Sequence, residues 1–410
     1  MKTVAILGTL DSKGAEFAFV REIIEGLGLK TLMIHTGVFE PTVPADISNS
    51  EVAAAAGYDI QEIAERKDRA YATEALTKGM EILLPKLYNE GLFHGVISFG
   101  GSGGTTLATA GMRALPIGVP KVMVSTIAGG DVSVYTGSSD IFMYPSIVDV
   151  AGINSISYKI FVNAAHAIAG MVRFETPEKK SDKPLIAATM FGVTTPAVNT
   201  AREYLEERGY EVLTFHATGT GGKVMEKLAE EGFFKGVLDL TTTEWCDELF
   251  GGVLAAGENR LEAAGKSGTP QVVSVGALDM VNFGPYDTVP AHYKNRNLYK
   301  HNPTVTLMRT TTEENRKLGE KIAEKLNGAE SPTVLMLPLK GVSMIDAPGQ
   351  PFYGAEEDTA LFDTLRDLVN KNKIQIIELE NNINDEAFAK AAAQKLIDLI
   401  EGENREQKGE

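Results

Sequence analysis

Residues Val96–Gly111 read VISFGGSGGTTLATAG. The apolar run Val96–Phe99 has strand character. It meets Gly100, Gly101, Ser102, Gly103 and Gly104, then Thr105 and Thr106, then a helix-like segment that runs through Leu115 and ends before Pro116. Glycine lets a backbone turn tightly and approach a ligand with no Cβ in the way. A helix start offers free N–H groups and a dipole that favour an anion, and Thr105 or Thr106 is expected to cap it. Strand, glycine loop and helix in that order form a phosphate cradle. The plain alternative is a tight strand–helix connection without a ligand. Four glycines with a serine and two threonines favour the ligand. No Gly-Lys-Ser/Thr follows, so the loop is not a P-loop, and the first strand lacks dinucleotide-fingerprint spacing.

Similar loops follow other strand-like runs. They are Gly8–Gly14 with Thr9 and Asp11, Ser125–Asp131 with Gly129 and Gly130, Tyr135–Asp140, His216–Lys223 with Gly219, Thr220, Gly221 and Gly222, and Leu240–Glu244 with Thr242 and Thr243. In an α/β sheet, loops at the carboxyl ends of strands gather on one side, where ligands bind.

The sequence echoes itself. VAILGT at Val4 and LIAATM at Leu185 each precede a helix-like segment and a second strand. Gly28 and Gly209 lie 181 positions apart, as do His35 and His216. GLFHGVISF at Gly91 returns as GFFKGVLDL at Gly232, 141 positions on. Further strands are expected from Lys121, Gln271, Thr333 and Ile374. Strands alternating with helices imply parallel sheets covered by helices. The expected architecture is therefore α/β: two Rossmann-like domains with mainly parallel sheets, related by duplication, with a ligand cleft between them. The expected boundaries are 1–174 for the N-terminal domain, 175–184 for a polar linker, 185–401 for the C-terminal domain and 402–410 for a flexible tail. The helix after the first strand is expected to start at Asp11 or Ser12 and stop at Gly28; its counterpart starts at Thr195 with Pro196 and stops at Gly209.

The 410 residues are 43% hydrophobic and 23% charged, as in a globular chain, and carry a net charge of −16. That balance argues against non-specific nucleic-acid or anionic-membrane binding, which need clustered positive charge. It leaves room for an anionic ligand held by backbone N–H groups. The single Cys246 allows no intrachain disulfide, the N-terminus is too short in apolar residues for a signal segment, and no run approaches membrane-spanning length. A cytoplasmic protein is expected.

Several residues are chemical candidates. Gly100–Gly104 also fits G-x-S-x-G, with Ser102 as nucleophile and His292 or His301 as base, but the duplicated layout and the extra glycines suit phosphate better. The histidines show no metal-ligand spacing. His35 and His216 end strands, where a histidine serves either catalysis or a backbone hydrogen bond. Cys246 is a nucleophile candidate, though a lone cysteine is more often a small buried apolar residue. The stretch Asp279–Arg309 reads as a long irregular segment. It offers Arg296, Tyr299, His301, Asn302 and Arg309 for a carboxylate, phosphate or base. A second such segment, from Leu337, offers Lys340, Ser343, Asp346 and Asp358, the last also fitting a helix N-cap. Thr311 and Glu314 form a capping box. Asp131 or Asp140 is expected to carry Mg²⁺ beside phosphate.

GTLDSKG, GVISFGGSGGTT, STIAGGDVSVYTGSSDI, HATGTGGKVME and HYKNRNLYKHNP together resemble the family that shares the ATP-binding domain of the tomato mosaic virus resistance protein. The resemblance spans nearly all of the chain. It implies two Rossmann-like subdomains, ATP binding and a homodimer. It also carries the ATP-cradling loops onto Gly100–Thr106, Thr9, Asp11, Gly129, Gly130 and Gly219–Gly222. Three functions follow as expectations: a nucleotide-binding protein acting on a small metabolite, a non-catalytic nucleotide-binding dimer with a protein partner, or an enzyme (kinase, lyase or hydrolase) taking a phosphorylated or carboxylated substrate. No reaction follows from the sequence; His301, Arg296, Arg309 and His216 stand as candidates for a catalytic role.

Overall fold

The computed structural model describes residues 1–174 and 183–408. Residues 175–182, the greater part of the expected linker, lie outside the described residues. The chain divides into two compact units, Met1–Glu178 and Lys179–Glu410.

The first unit holds strands β1 (Thr3–Gly8), β2 (Lys30–His35), β3 (Gly95–Gly100), β4 (Lys121–Ser125) and β5 (Phe142–Pro145). All pair in parallel, in the order β2-β1-β3-β4-β5. The central strands are apolar on both faces, as a sheet covered on both sides requires. In β1, Ala5 and Leu7 join one core with Met80, Leu84 and Met112, while Val4 and Ile6 join another with Phe17 and Phe161.

The second unit begins with β6 (Leu185–Met190), β7 (Glu211–His216), β8 (Gly236–Thr241) and β9 (Gln271–Gly276). It continues with β10 (Met280–Phe283), β11 (Leu298–Asn302), β12 (Val305–Arg309), β13 (Thr333–Pro338) and β14 (Gln375–Leu379). Its main sheet runs β14-β13-β9-β8-β6-β7, all parallel. The first three strands of each unit take the same places, and the echoed residues take the same roles. Gly8 pairs with His35 at the ends of β1 and β2, and Met190 with His216 at the ends of β6 and β7. Gly28 and Gly209 both close a helix at positive φ, +82° and +88°.

Four local expectations change. The helix after β1 starts at Leu10, with Thr9 at its N-cap, and not at Asp11 or Ser12. The helix after β3 starts at Ser102 with Gly101 at its N-cap, so Thr105 and Thr106 lie inside it. Their hydroxyls bond back to the carbonyls of Gly101 (2.8 Å) and Ser102 (2.9 Å), which replaces capping. The stretch Asp279–Arg309 contains a three-stranded antiparallel sheet, β10-β12-β11, with two short 3₁₀ turns in the connection from β10 to β11. The last helix runs Glu386–Lys408, through most of the expected tail, because Glu401–Lys408 is rich in the helix formers Glu, Arg, Gln and Lys.

Candidate functional site

In the order β2-β1-β3-β4-β5, connections leave β1 and β3 in opposite directions, and ligands of such sheets bind at that switch point. Two adjoining cavities open there, and every residue lining them belongs to the first unit. The smaller, of about 310 Å³, is lined by Gly8–Lys13 residues, by Ser98 and the Gly100–Gly104 loop, and by Asp149. The larger, of about 610 Å³, is walled by Thr36–Glu40 after β2, by Ile63, Ala64, Ala72, Leu76 and Leu107, and by Asp11. Thr9, Ser12, Thr36, Arg69, Gly103 and Gly104 line both. One compartment is polar and floored by backbone; its neighbour is largely apolar.

The loop after β3 owes its openness to missing side chains. None of Gly100, Gly101, Gly103 and Gly104 has a positive φ, so the turn does not demand glycine at these positions. Gly100 packs, since a Cβ there would lie 3.2 Å from the Gly104 Cα. Gly101 and Gly103 have room: an added Cβ would lie 3.7 Å from Thr126 Oγ1 and 3.6 Å from Arg69 Nη2, respectively. The helix Ser102–Arg113 has no side-chain cap, so its first N–H groups lack a side-chain acceptor, and Gly101–Gly104 at its start line the smaller cavity. Thr105 is fully buried and bonds Ser125 Oγ at 2.6 Å, which ties this helix start to the end of β4.

The opposite wall is set by His35. Its Nδ1 accepts from the N–H groups of Leu10 (3.2 Å) and Gly37 (3.3 Å), and its Nε2 stands 2.7 Å from the Phe39 carbonyl. A ring with its proton on Nε2 satisfies all three, so His35 holds the Gly37–Phe39 loop by backbone hydrogen bonds. Asp11 accepts from Phe39 N–H at 3.1 Å, and the Phe39 ring stays 67% exposed at the cavity mouth. Ser12 Oγ donates within reach of Thr9 Oγ1, at 3.2 Å. Lys13 breaks the helix Leu10–Gly26 with non-helical angles and reaches the Val150 carbonyl.

Sequence reasoning missed Arg69, Lys13, Lys67, Thr36 and Asp149. Arg69 opens the helix Arg69–Asn89, whose N-cap Asp68 accepts from Ala70 and Tyr71. Among the described residues its guanidinium has no hydrogen-bond or ion-pair partner. Nothing in the sequence near Arg69 separates it from other solvent-facing arginines; only the fold brings it beside Gly103.

Other candidates lie elsewhere. Gly129, Gly130 and Asp131 line neither cavity, and Asp131 accepts from Ser133 N–H at 2.9 Å. Asp140 stands at the amino end of the sheet, away from the loops, paired with Lys121 Nζ at 2.6 Å and Gly118 N–H at 2.7 Å. Among the described residues, no group of three or more His, Cys, Asp or Glu is arranged to hold a metal. Neither cavity is lined by a histidine or a cysteine.

In the second unit, the glycine loop after β7 serves the protein itself. The N–H groups of Gly219 (2.7 Å) and Gly222 (3.1 Å) donate to Glu244 Oε1. Glu244 Oε2 takes Arg260 Nε at 2.7 Å, and Arg260 also grips Asp239 at 2.5 Å and Glu226 at 3.1 Å. A Cβ on Gly222 would overlap the Glu244 carboxylate, and one on Gly221 the His216 carbonyl. Thr220 is exposed at the helix start, and Thr242 and Thr243 are fully buried. Arg296 pairs with Glu314 (2.6 Å) and Arg309 with Asp358 (2.8 Å), so both cations are spent on structure. His301 is exposed on β11, and His216 is exposed at the end of β7 with its ring 5.6 Å from that of Phe191. Asp358 lies in the first turn of the helix Ala355–Leu368, whose N-cap is Gly354. With Asp279 and Asp346 it surrounds the single Arg309; burial first, then the neighbouring Asp346, raises the carboxyls of Asp279 and Asp358 to about 7 and about 8. Burial pushes the Cys246 thiol well up, which suits a packing residue and not a nucleophile.

These units are α/β Rossmann-like domains, the first with open loops at its switch point. Residues 2–177 match the N-terminal domain, and residues 183–400 the C-terminal domain, of an uncharacterised protein family (UPF0261). The chain belongs to this family. A UPF0261 protein of Clostridium tetani is 59% identical over 98% of this chain and 99% of its own length. One from Rhizobium meliloti is 46% identical over 97% of this chain and 99% of its own. The ToMV resistance protein Tm-1 of Solanum lycopersicum is 46% identical over 81% of this chain, which spans 45% of that longer protein. Among solved structures, a UDP-GlcNAc 2-epimerase from Neisseria meningitidis aligns over 67% of this chain and 82% of its own at 11% identity, with a TM-score of 0.23 that carries no functional argument. No helix among the described residues is long and apolar enough to cross a membrane.

Proposed function

We propose that this protein binds a nucleotide, ATP, in the first unit at the junction of β1 and β3. The observation that carries the reading is the uncapped start of the helix Ser102–Arg113, which opens through Gly101 and Gly103 onto the polar cavity. Phosphate oxygens there would accept from the Ser102, Gly103 and Gly104 N–H groups, where the helix dipole adds to the attraction. The base and ribose would enter the adjoining apolar chamber, with the exposed Phe39 ring at its mouth. The two volumes lie in the range of small-molecule sites. Thr9, Ser12 and Thr36 supply hydroxyls between the two compartments. Mg²⁺ would enter on the phosphates, keeping most of its waters. Asp131 and Asp140 do not fit that role, because neither lines the cavities; the acids that do are Asp11, Glu40, Asp68 and Asp149. The reading concerns binding and assigns no reaction. The name of the tomato relative describes a protein more than twice the length matched here, and its role against a virus is not proposed for this chain.

Titration calorimetry of the full chain with ATP, with and without Mg²⁺, tests the proposal. Binding in the micromolar to sub-millimolar range is expected, and Gly101→Asp should abolish it, since its carboxylate would enter the cradle while its Cβ meets no close neighbour. Absence of binding at millimolar ATP would refute it.

A further inference from the structure

The loops after β3 and β8 differ in what they carry: Gly100–Gly104 bears one small polar side chain, whereas the loop and helix start at Thr241–Trp245 bring in a carboxylate. β3 and β8 stand 141 positions apart residue for residue, from Gly95 and Gly236 to Gly100 and Thr241, and the same offset sets Gly103 against Glu244. In the second unit the Glu244 carboxylate is a built-in anion. It is 1% exposed, takes two backbone N–H groups from the helix start at Gly219–Gly222, and is clasped by the buried Arg260. In the first unit, Gly103 puts no side chain there, and the group that a Cβ would meet is Arg69 Nη2. Arg69 has no partner among the described residues, while the helix start that carries it is fixed by the Asp68 cap. Both units thus set an arginine beside this position, but only the second supplies the carboxylate; the N–H groups that hold Glu244 follow β7, whereas the uncapped helix start near Arg69 follows β3.

We propose that the first unit takes from solution the oxyanion that the second unit carries as Glu244, and that Arg69 is the side chain that grips it. This rests on the reading that an anionic ligand enters the first unit. It names the chemistry of that ligand: a phosphate or carboxylate, both of which suit the planar guanidinium fork. Arg69 lines both cavities, so it meets the charged group where the polar compartment passes into the apolar chamber. The ligand therefore joins an oxyanion to an apolar body. Each chain would hold one such ligand, since the second cradle is already filled.

The full chain and its Arg69→Ala, Arg69→Lys, Gly103→Glu and Arg69→Ala/Gly103→Glu variants would be titrated with ATP, inorganic phosphate and succinate. Arg69→Ala is expected to weaken the ligand that binds by about ten- to a hundredfold, the usual cost of a charged hydrogen bond, with Arg69→Lys recovering part. Gly103→Glu should bind nothing, its carboxylate occupying Arg69. Accordingly, Arg69→Ala should lower the melting temperature of Gly103→Glu more than that of the wild type. Arg69 is exposed, so its alanine variant tests the idea even if Gly103→Glu fails to fold. Wild-type affinity in Arg69→Ala would overturn this inference and leave the nucleotide reading standing. Binding of phosphate or succinate without ATP would sink the nucleotide reading and support this one. Failure of all three to bind the wild type would overturn both.

Discussion

Glycine serves two opposite ends in this chain. At Gly101 and Gly103 the missing side chain leaves a cavity open; at Gly222 it admits the protein's own Glu244 carboxylate. The sequence cannot tell these apart, because a glycine loop after a strand reads alike whether its anion comes from solution or from a glutamate twenty-two residues on. Gly101→Ala is therefore expected to change stability by less than about 0.5 kcal/mol, as at an unconstrained surface position. Gly222→Ala should cost about 1–3 kcal/mol through overpacking, read from urea denaturation. Removing the anion should cost more: Glu244→Ala leaves Arg260 and two N–H groups short of a partner, a loss of about 3–5 kcal/mol. Asp358 offers a pH test. Its folded carboxyl is raised by burial and by Asp346, from the ordinary 3.8 toward about 8. A raised value means stability that is full below about pH 3.8 and is lost as pH rises through about 8. The melting temperature of the wild type should fall between pH 6 and pH 9, and Asp358→Asn should flatten that fall; equal slopes would contradict the assignment.

Elements were the most legible scale, and the reason is local. β3 and β8 carry near-continuous apolar runs because both faces of a parallel sheet are covered, and the glycines that close the preceding helices sit at positive φ, where other residues are strained. The repeat at Gly28 and Gly209 survives because it is a backbone requirement. Where elements were misread, polar composition hid short strands. β11, LYKHN, is exposed over its last three residues and pairs only with β12, so it needs no apolar run. Thr105 and Thr106 misled as caps because their hydroxyls bond backward along the helix, a choice that sequence alone does not fix. The capping box at Thr311 and Glu314 is present as read, with Thr311 Oγ1 accepting from Glu314 N–H at 3.3 Å and Glu314 Oε2 from Thr311 N–H at 2.8 Å. Thr311→Ala should destabilise by about 1 kcal/mol in chemical denaturation, while Thr311→Ser should cost little.

On the scale of the whole molecule, each buried cluster draws its residues from one unit. The two clusters of the first unit end at Ile141 and Val172, and those of the second begin at Ile186. Residues 1–178 expressed alone are therefore expected to fold cooperatively and to keep the ligand affinity of the full chain, because all lining residues of both cavities fall within them. The net charge of −16 is compatible with the proposed site, because an anionic ligand would be held by local N–H groups and Arg69 and not by a basic surface. The position of the site was half legible. The glycine loop announced it, but its second wall, from Thr36 to Arg69, belongs to the connection between β2 and β3 and becomes part of the site only when those strands pair with β1. The most direct test is a crystal structure of the full chain grown with Mg²⁺ and a non-hydrolysable ATP analogue. The account predicts phosphate oxygens on the Ser102–Gly104 N–H groups, with Arg69 beside them and the base in the chamber behind Phe39. A nucleotide seated at Gly219–Gly222 with Glu244 displaced, or none bound in the first unit at saturating analogue, would contradict it.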